Sequence, residues 1–180
     1  MSKREYPERP VVGVGGVVIQ EDRVVLVRRA GPPLEGEWSI PGGALEVGET
    51  IAEGVRRELR EETGLDVCVL ELIEVFERIF PGEGGPGESR RDDSGGDKGG
   101  RSDSWRGDDG WTEGRRPQYH FVILDYLCAA SGGALRAGGD ASDIALVAEE
   151  DLAGYLLTPA VSRVLQKAFA ISRARSHSTR

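Results

Sequence analysis

Three glutamates stand close together in one short stretch of the chain, at positions 58, 61 and 62. If this stretch is an α-helix, which turns about 100° per residue, then Glu58, Glu61 and Glu62 fall within an arc of roughly 100° and their carboxylates crowd together. Like charges at this spacing repel one another unless a cation lies between them. The spacing therefore predicts a site for a hydrated divalent cation that bridges the carboxylates and the phosphate oxygens of a substrate.

The flanking residues predict the helix that would carry these acids. Thr50 and Glu53 form a capping box at its start, and Gly64 provides the left-handed residue that ends it, so we expect a helix from Ile51 to Thr63. An apolar stripe beside the acidic edge should pack against a sheet. The alternative is that the charged residues only form a solvated face, as most such runs do. The stripe consists of Ile51, Ala52, Val55 and Leu59.

The rest of the chain predicts one domain over residues 11–171, with a flexible tail before it (1–10) and a flexible basic tail after it (172–180). Branched and aromatic residues favour strands, and a segment dominated by Gly, Ser, Asp and Arg at 81–117 predicts a disordered insertion. Thr158 and Pro159 are typical of the first residues of a last helix. We expect strands at 11–19, 23–29, 66–80, 119–129 and 144–147, and a short helix at 149–155.

Composition excludes several classes of protein. A net charge of -8 and a pI near 4.9 argue against a nucleic-acid binder, which usually carries a basic patch. The apolar stretch 11–19 is interrupted by glycines and is too short to span a membrane, so we expect a cytoplasmic protein. Cys68 and Cys128 lie in apolar strand-like segments without metal-site spacing, which predicts two buried reduced thiols.

A resemblance to a known family adds to this interpretation. The segment from Gly43, GALEVGETIAEGVRRELREETGL, resembles the Nudix box, G-x5-E-x7-R-E-U-x-E-E-x-G-U with U aliphatic, and the preceding Trp38 to Gly43 resembles the loop before it. The resemblance implies an α/β fold, with an α/β/α sandwich around a mixed β-sheet. It also allows a homodimer. The matching positions are Gly43, Glu49, Arg57, Glu58, Leu59, Glu61, Glu62, Gly64 and Leu65.

The resemblance also implies roles for individual residues. Glu58, Glu61 and Glu62 would be the main ligands of Mg²⁺, for which Mn²⁺ could substitute. Glu49 and a backbone carbonyl of Gly42 or Gly43 would assist, while Arg57 would orient one of the carboxylates. The cations would neutralise a diphosphate, position it and activate water for in-line attack at phosphorus.

The general base and the phosphate contacts stay open at this point. Glu61 is the first candidate for the base, and Asp140 and Asp143, in the loop after the 119–129 strand, are alternatives to plain turn formers. Arg28 and Arg29 could grip phosphate through bidentate hydrogen bonds. An exposed strand end without function is an equal alternative for these two arginines.

The substrate is predicted less strongly than the reaction. Pro81 follows the box by a spacing that resembles the mark of the ADP-ribose pyrophosphatase subgroup, so Pro81 would help to select ADP-ribose or an ADP-sugar. The alternatives are a nucleoside triphosphate pyrophosphohydrolase of the housecleaning type and a nucleotide-sensing module without turnover. In each case the expected partner is a small nucleotide.

Overall fold

The structure, a computed structural model, describes residues 5–81 and 117–178. The insertion expected at 81–117 therefore lies outside the described residues, except for its first and last residue. The elements are β1 (Val11–Gln20), β2 (Arg23–Arg29), β3 (Trp38–Ser39), β4 (Gly42–Ala44), α1 (Ile51–Thr63), β5 (Leu65–Pro81), β6 (Pro117–Gly133), β7 (Ala141–Ala148), a 3₁₀ helix (Glu149–Gly154) and α2 (Pro159–Ser178).

In the described parts of the chain seven strands form one mixed sheet, as the sequence predicts. Strand β1 lies at its centre: it pairs in parallel with β6 and antiparallel with β4, and its end pairs antiparallel with β2. Strands β5 and β6 pair antiparallel, and β2 pairs with β3 and β7. The centre of the sheet thus brings β4, β1 and β6 side by side.

Two hydrophobic clusters cover opposite faces of this sheet. Val18 of β1 packs in one cluster with Val55 and Leu59 of α1, whereas its neighbour Val17 packs in the other with residues of α2. Successive side chains of a strand point to opposite faces, so α1 and α2 lie on opposite sides of the sheet. The predicted α/β/α sandwich is confirmed.

Local signals determine both ends of α1, and its bounds agree with the prediction. The Glu53 amide donates to the Thr50 hydroxyl at 3.3 Å, and the Glu53 carboxylate accepts from the Thr50 amide at 2.7 Å. At the other end Gly64 adopts a left-handed conformation, with φ of 73°, and its amide donates to the Arg60 carbonyl. The register of the three glutamates along the helix is therefore set by the capping residues.

At the periphery the structure describes parts of both expected tails and the two cysteines. Helix α2 continues to Ser178, past residue 172, where the sequence analysis expects a flexible tail to begin. The N-terminal segment is held at residues 5 and 6: Gln118 donates to the Glu5 carboxylate, and the Tyr6 amide donates to the Gln118 carbonyl. Cys68 is exposed, contrary to the prediction, and only Cys128 is buried as predicted.

Among the described residues no helix is long and apolar enough to cross a lipid bilayer.

The packing of α1 on β1 gives a prediction for stability. Leu59 is fully buried and lies against Gly16, where an added Cβ would come within 2.7 Å of the leucine side chain. We expect Leu59→Ala to lower the free energy of unfolding by about 2–5 kcal/mol, because it leaves a cavity. Leu156→Ala, at an exposed position, is the control and should change it by less than about 0.5 kcal/mol. Equal losses in urea unfolding would contradict this packing.

Candidate active site

The acidic edge of α1 lies against the two glycines of β4. The Gly42 amide donates to Oε2 of Glu62 at 2.8 Å. A Cβ at Gly43 would lie 2.5 Å from the Glu58 carboxylate carbon, so only glycine permits this approach. A Cβ at Gly42 would overlap the backbone of β1 at Val14. The two glycines therefore allow the helix and the strand to meet at the carboxylates.

Arg57 binds several acceptors around this contact. It donates to both carboxylate oxygens of Glu49, at 2.7 and 3.1 Å, and to Oε1 of Glu58 at 2.7 Å. It also donates to the Ala44 carbonyl of β4 at 3.0 Å. These bonds lower the pKa of Glu49 and raise that of Arg57, for which the Glu49 hydrogen bond is the largest influence. Arg57 thus ties the helix to the preceding loop and fixes the orientation of Glu58.

Glu58 and Glu62 are unusual in being buried acids, with only 8% and 6% of their surface exposed. Burial, the largest influence, raises the pKa of Glu62 to about 7. The Gly42 amide acts against this shift, and the negative charge of Glu58 adds to it. Two neighbouring carboxylates that are buried away from water repel each other, and a cation beside them would stabilise their ionised forms.

The three predicted acids do not converge on one point. In residues 5–81 and 117–178 no group of three or more His, Cys, Asp or Glu side chains is arranged so that it could hold a metal ion. Each of the three glutamates instead has its own contacts. Glu58 bonds to Arg57, Glu62 bonds to Gly42, and the side chain of Glu61 is 55% exposed with Oε2 lying 3.8 Å from Arg57. The expected crowding is therefore seen for Glu58 and Glu62, while Glu61 points outward.

A cavity of about 900 Å³ opens beside these carboxylates. Its size is within the usual range for sites that bind nucleotide-sized ligands. The predicted site residues that line it are Arg29, Gly43, Arg57, Glu58, Glu61, Glu62 and Asp140, whereas Arg28, Glu49 and Asp143 do not. Asp143 lies in β7 rather than in a loop, and its Oδ1 accepts from the Ile144 amide. Pro81 is the last residue of β5.

Arg28 and Arg29 brace the loop that borders the cavity. The Arg29 Nε donates to the Pro33 carbonyl at 2.9 Å, and the Arg28 Nε donates to the Gly36 carbonyl at 2.9 Å. Arg29 also lies close enough to Glu62 to oppose the upward shift of its pKa. Of the two arginines, only Arg29 is placed to meet a ligand in the cavity.

The sequence analysis missed Asp125, which lies in the middle of β6 and lines the cavity. It is 3% exposed, and burial, followed by the negative charge of Glu74, raises its pKa to about 7. A single acid within the apolar run from Phe121 to Leu127 was the available signal. Its significance depends on the pairing of β6 with Gly15 of β1, which local sequence does not show.

The comparisons with known proteins agree with this geometry. The family model described as the NUDIX domain matches residues 9–163. The chain belongs to the NUDIX family. The matched range includes α1, the glycines of β4 and the strands that position them.

Similar NUDIX proteins cover different parts of the chain. The protein named ADP-ribose pyrophosphatase from Methanocaldococcus jannaschii is 28% identical over 74% of this chain and 59% of its own length. A MutT-like protein of Streptomyces ambofaciens is 47% identical over 39% of this chain and 45% of its own length. The chain thus aligns with less than two thirds of these relatives.

Solved structures support the NUDIX fold. A crystal structure titled as an ADP-ribose pyrophosphatase from Streptococcus suis matches with a TM-score of 0.59 and 20% identity, covering 92% of this chain and 93% of that one. A MutT NUDIX hydrolase from Burkholderia pseudomallei matches with a TM-score of 0.60 and 24% identity, covering 89% and 98%. At these identities the likeness concerns the fold.

The donor type at this NUDIX site suits a hard divalent cation such as Mg²⁺, although the three carboxylates do not converge on one point among the described residues. Glu58, Glu61 and Glu62 present only oxygen atoms at the cavity, which is the ligand type that Mg²⁺ prefers. The gap that Gly43 leaves beside the Glu58 carboxylate keeps the backbone of β4 within reach of the same region. A cation there would also offset the cost of burying two acids.

Asp125 gives a prediction for the pH dependence of stability. Its pKa rises from the ordinary 3.8 to about 7 in the fold, so between these pH values the unfolded carboxyl is ionised and the folded one is protonated. The free energy of unfolding should therefore fall as pH rises from about 4 to about 7, by up to about 4 kcal/mol. Asp125→Asn removes this contribution, so in urea unfolding its advantage over the wild type should grow across that range. A constant difference between the two proteins would contradict it.

Proposed function

We propose that this chain is a divalent-cation-dependent hydrolase that cleaves the phosphoanhydride bond of a nucleoside diphosphate derivative, with ADP-ribose or an ADP-sugar as the substrate. The observation that carries the proposal is the acidic edge of α1, with Glu58 and Glu62 buried against Gly42 and Gly43, at the mouth of a nucleotide-sized cavity. Acids in this setting serve phosphate chemistry only with a cation, since they would otherwise repel the substrate.

Mg²⁺ is the cation we propose, held by Glu58, Glu61 and Glu62 with help from the Gly43 carbonyl. When bound, it neutralises the diphosphate and makes water a stronger nucleophile at neutral pH. Glu49 acts here through Arg57, to which it is bonded, rather than as a direct ligand.

The protein residues supply position and proton transfer. Arg57 holds the Glu58 carboxylate in one orientation through its 2.7 Å bond. Arg29, at the border of the cavity, offers a guanidinium to the phosphate oxygens. Glu61 is our candidate for the general base, because its exposed carboxylate lines the cavity and can accept a proton from attacking water. Asp140 lines the same cavity and is the alternative base.

The ADP-ribose class is supported by two similarities. A relative and a solved structure whose printed names are ADP-ribose pyrophosphatase both align with most of this chain. Pro81, whose spacing from the box suggests the same subgroup, ends β5 near the aromatic residues that line the cavity. Nucleoside triphosphates are the rival substrate class, and the name of the MutT-like relative, 47% identical over 39% of this chain, does not decide between the two.

Product analysis with Mg²⁺ distinguishes these classes. From ADP-ribose we expect AMP and ribose 5-phosphate, whereas a triphosphate pyrophosphohydrolase would release a nucleoside monophosphate and pyrophosphate. Chromatography of both reactions measures the preference directly. Rapid release of pyrophosphate with ADP-ribose left intact would overturn the substrate, and no turnover of either class would favour a sensing module.

Substitution of the acids tests the mechanism. We expect Glu61→Gln and Glu62→Gln each to lower turnover of ADP-ribose by at least about a hundredfold, because each removes a charge from the cation site and Glu61→Gln also removes the proposed base. Glu150→Gln, the same change at an exposed position of the 3₁₀ helix, is the control and should keep full activity. Circular dichroism verifies that the fold is retained. Unchanged Mg²⁺-dependent rates in both cavity variants would remove this mechanism.

A further inference from the structure

One wall of the cavity is a part of the sheet that α2 leaves uncovered. Four alternate cross-strand pairs of β5 and β6 build it, because every second pair lies on the same face of a sheet. At its inner end α2 approaches, where Arg163 and Lys167 each lie 2.8 Å from Glu74. Outward from that point the residues of the wall line the cavity, where Tyr119 is only 6% exposed and its hydroxyl is hydrogen-bonded to Glu5. The pairs are Glu74 with Asp125, Phe76 with Ile123, Arg78 with Phe121, and Phe80 with Tyr119.

The outer part of this surface, which we call the aromatic wall, consists of Phe76, Phe80, Tyr119 and Phe121, all of which line the cavity. Phe80 meets Tyr119 edge-on, with centroids 6.0 Å apart, and Tyr119 and Phe121 lie nearly parallel at 6.0 Å. The rings therefore fix one another in position. Aromatic faces of this kind stack on nucleobases.

Asp125 is the polar group at the inner end of the aromatic wall. Within residues 5–81 and 117–178 no donor bonds to its carboxyl, although it is 3% exposed and lines the cavity. Gly15, directly opposite in β1, has no room for a Cβ because it would overlap Oδ1. A buried carboxyl without a partner destabilises a fold, so its retention beside a cavity points to a ligand.

The register of the sheet connects Asp125 to the acidic edge. Gly42 pairs with Gly15, and Gly15 pairs with Asp125, so the three residues form one row across neighbouring strands. Two strand spacings amount to about 10 Å, which is the scale of a nucleoside. Glu62, bonded to Gly42, stands at the other end of that row. A base beside Asp125 would thus place its phosphates toward the carboxylates.

We propose that the aromatic wall and Asp125 form the subsite for the adenine base of the substrate. The proposal deepens the function given above and rests on it for the reaction, although the base subsite itself can be tested by binding alone. A protonated carboxyl has one donor and one acceptor, which match N1 and the N6 amino group of adenine. Guanine could pair its O6 and N1–H with the same protonated carboxyl, but its N2 amino group is a further donor, which the phenylalanine rings of the wall cannot accept.

The electrostatics of the subsite support adenine. Burial raises the pKa of Asp125 to about 7, and Glu74 adds to the shift, so the protonated form is present at neutral pH. A base that stacks on the aromatic wall and pairs its edge with the carboxyl excludes further water from Asp125, which again favours the neutral form. Arg78, whose guanidinium lies 5.1 Å from the Phe80 ring centroid, supplies a positive charge at the edge of the wall.

Calorimetric binding of AMP, GMP and ribose 5-phosphate to the full chain tests the subsite. We expect the wild type to bind AMP more tightly than the other two. Asp125→Asn should keep this preference, because an amide has the same donor and acceptor, whereas Asp125→Leu should weaken AMP binding by about ten- to a hundredfold. Phe121→Ala should weaken both nucleotides but not ribose 5-phosphate. Asp151→Leu, at an exposed position, is the control.

The results separate this proposal from the reaction. AMP binding that survives Asp125→Leu unchanged, or a wild-type preference for GMP, would overturn the adenine subsite even if ADP-ribose is hydrolysed. A preference for AMP that depends on Asp125 would support the subsite even if hydrolysis fails. Circular dichroism of the two Asp125 variants shows whether either loses its fold, and Asp125→Asn supplies the comparison if the leucine variant does.

Discussion

The close contact between α1 and the glycines of β4 is the interaction on which the rest of this structure depends. Glu62 accepts a backbone hydrogen bond from Gly42, and Gly43 leaves the space that the Glu58 carboxylate fills. Burying two acids costs free energy, and the burial of Leu59 on the same helix helps to offset this cost. The capping residues then set the register that turns the acids toward the cavity.

Charge balance around this contact explains how an acidic protein can handle an anionic substrate. The chain carries a net charge of -8, yet Arg57 and Arg29 stand at the cavity where negative charge accumulates. Arg57 is hydrogen-bonded to Glu49 and Glu58. Its positive charge therefore fixes these carboxylates in place but does not make the net charge of the site positive. The remaining negative charge is what a divalent cation would balance.

The sequence predicts features that depend on residues adjacent in the chain, such as helix ends. It predicts less well the features that depend on which strands pair in the sheet. The bounds of α1 follow from Thr50 and Gly64, whereas only Val55 and Leu59 of its apolar stripe are buried, and Glu58 and Glu62 are buried beside them. Asp125 becomes part of the site only because β6 pairs with Gly15 of β1, and the spacing of the three acids does not show that the Glu61 side chain is 55% exposed. The exposure of Cys68 likewise depends on tertiary packing, and the exposed end of α2 makes ion pairs with Glu149 and Glu71 that no short motif encodes.

The affinity for Mn²⁺, measured by electron paramagnetic resonance on Gly43→Ala, tests the central contact most directly. The added methyl group would displace the Glu58 carboxylate, so the account predicts a loss of affinity of at least about tenfold with the fold retained. Gly31→Ala, whose Cβ would meet nothing within 4 Å, should bind Mn²⁺ as the wild type does. Wild-type affinity in Gly43→Ala, or no Mn²⁺ binding by the wild type, would contradict the account.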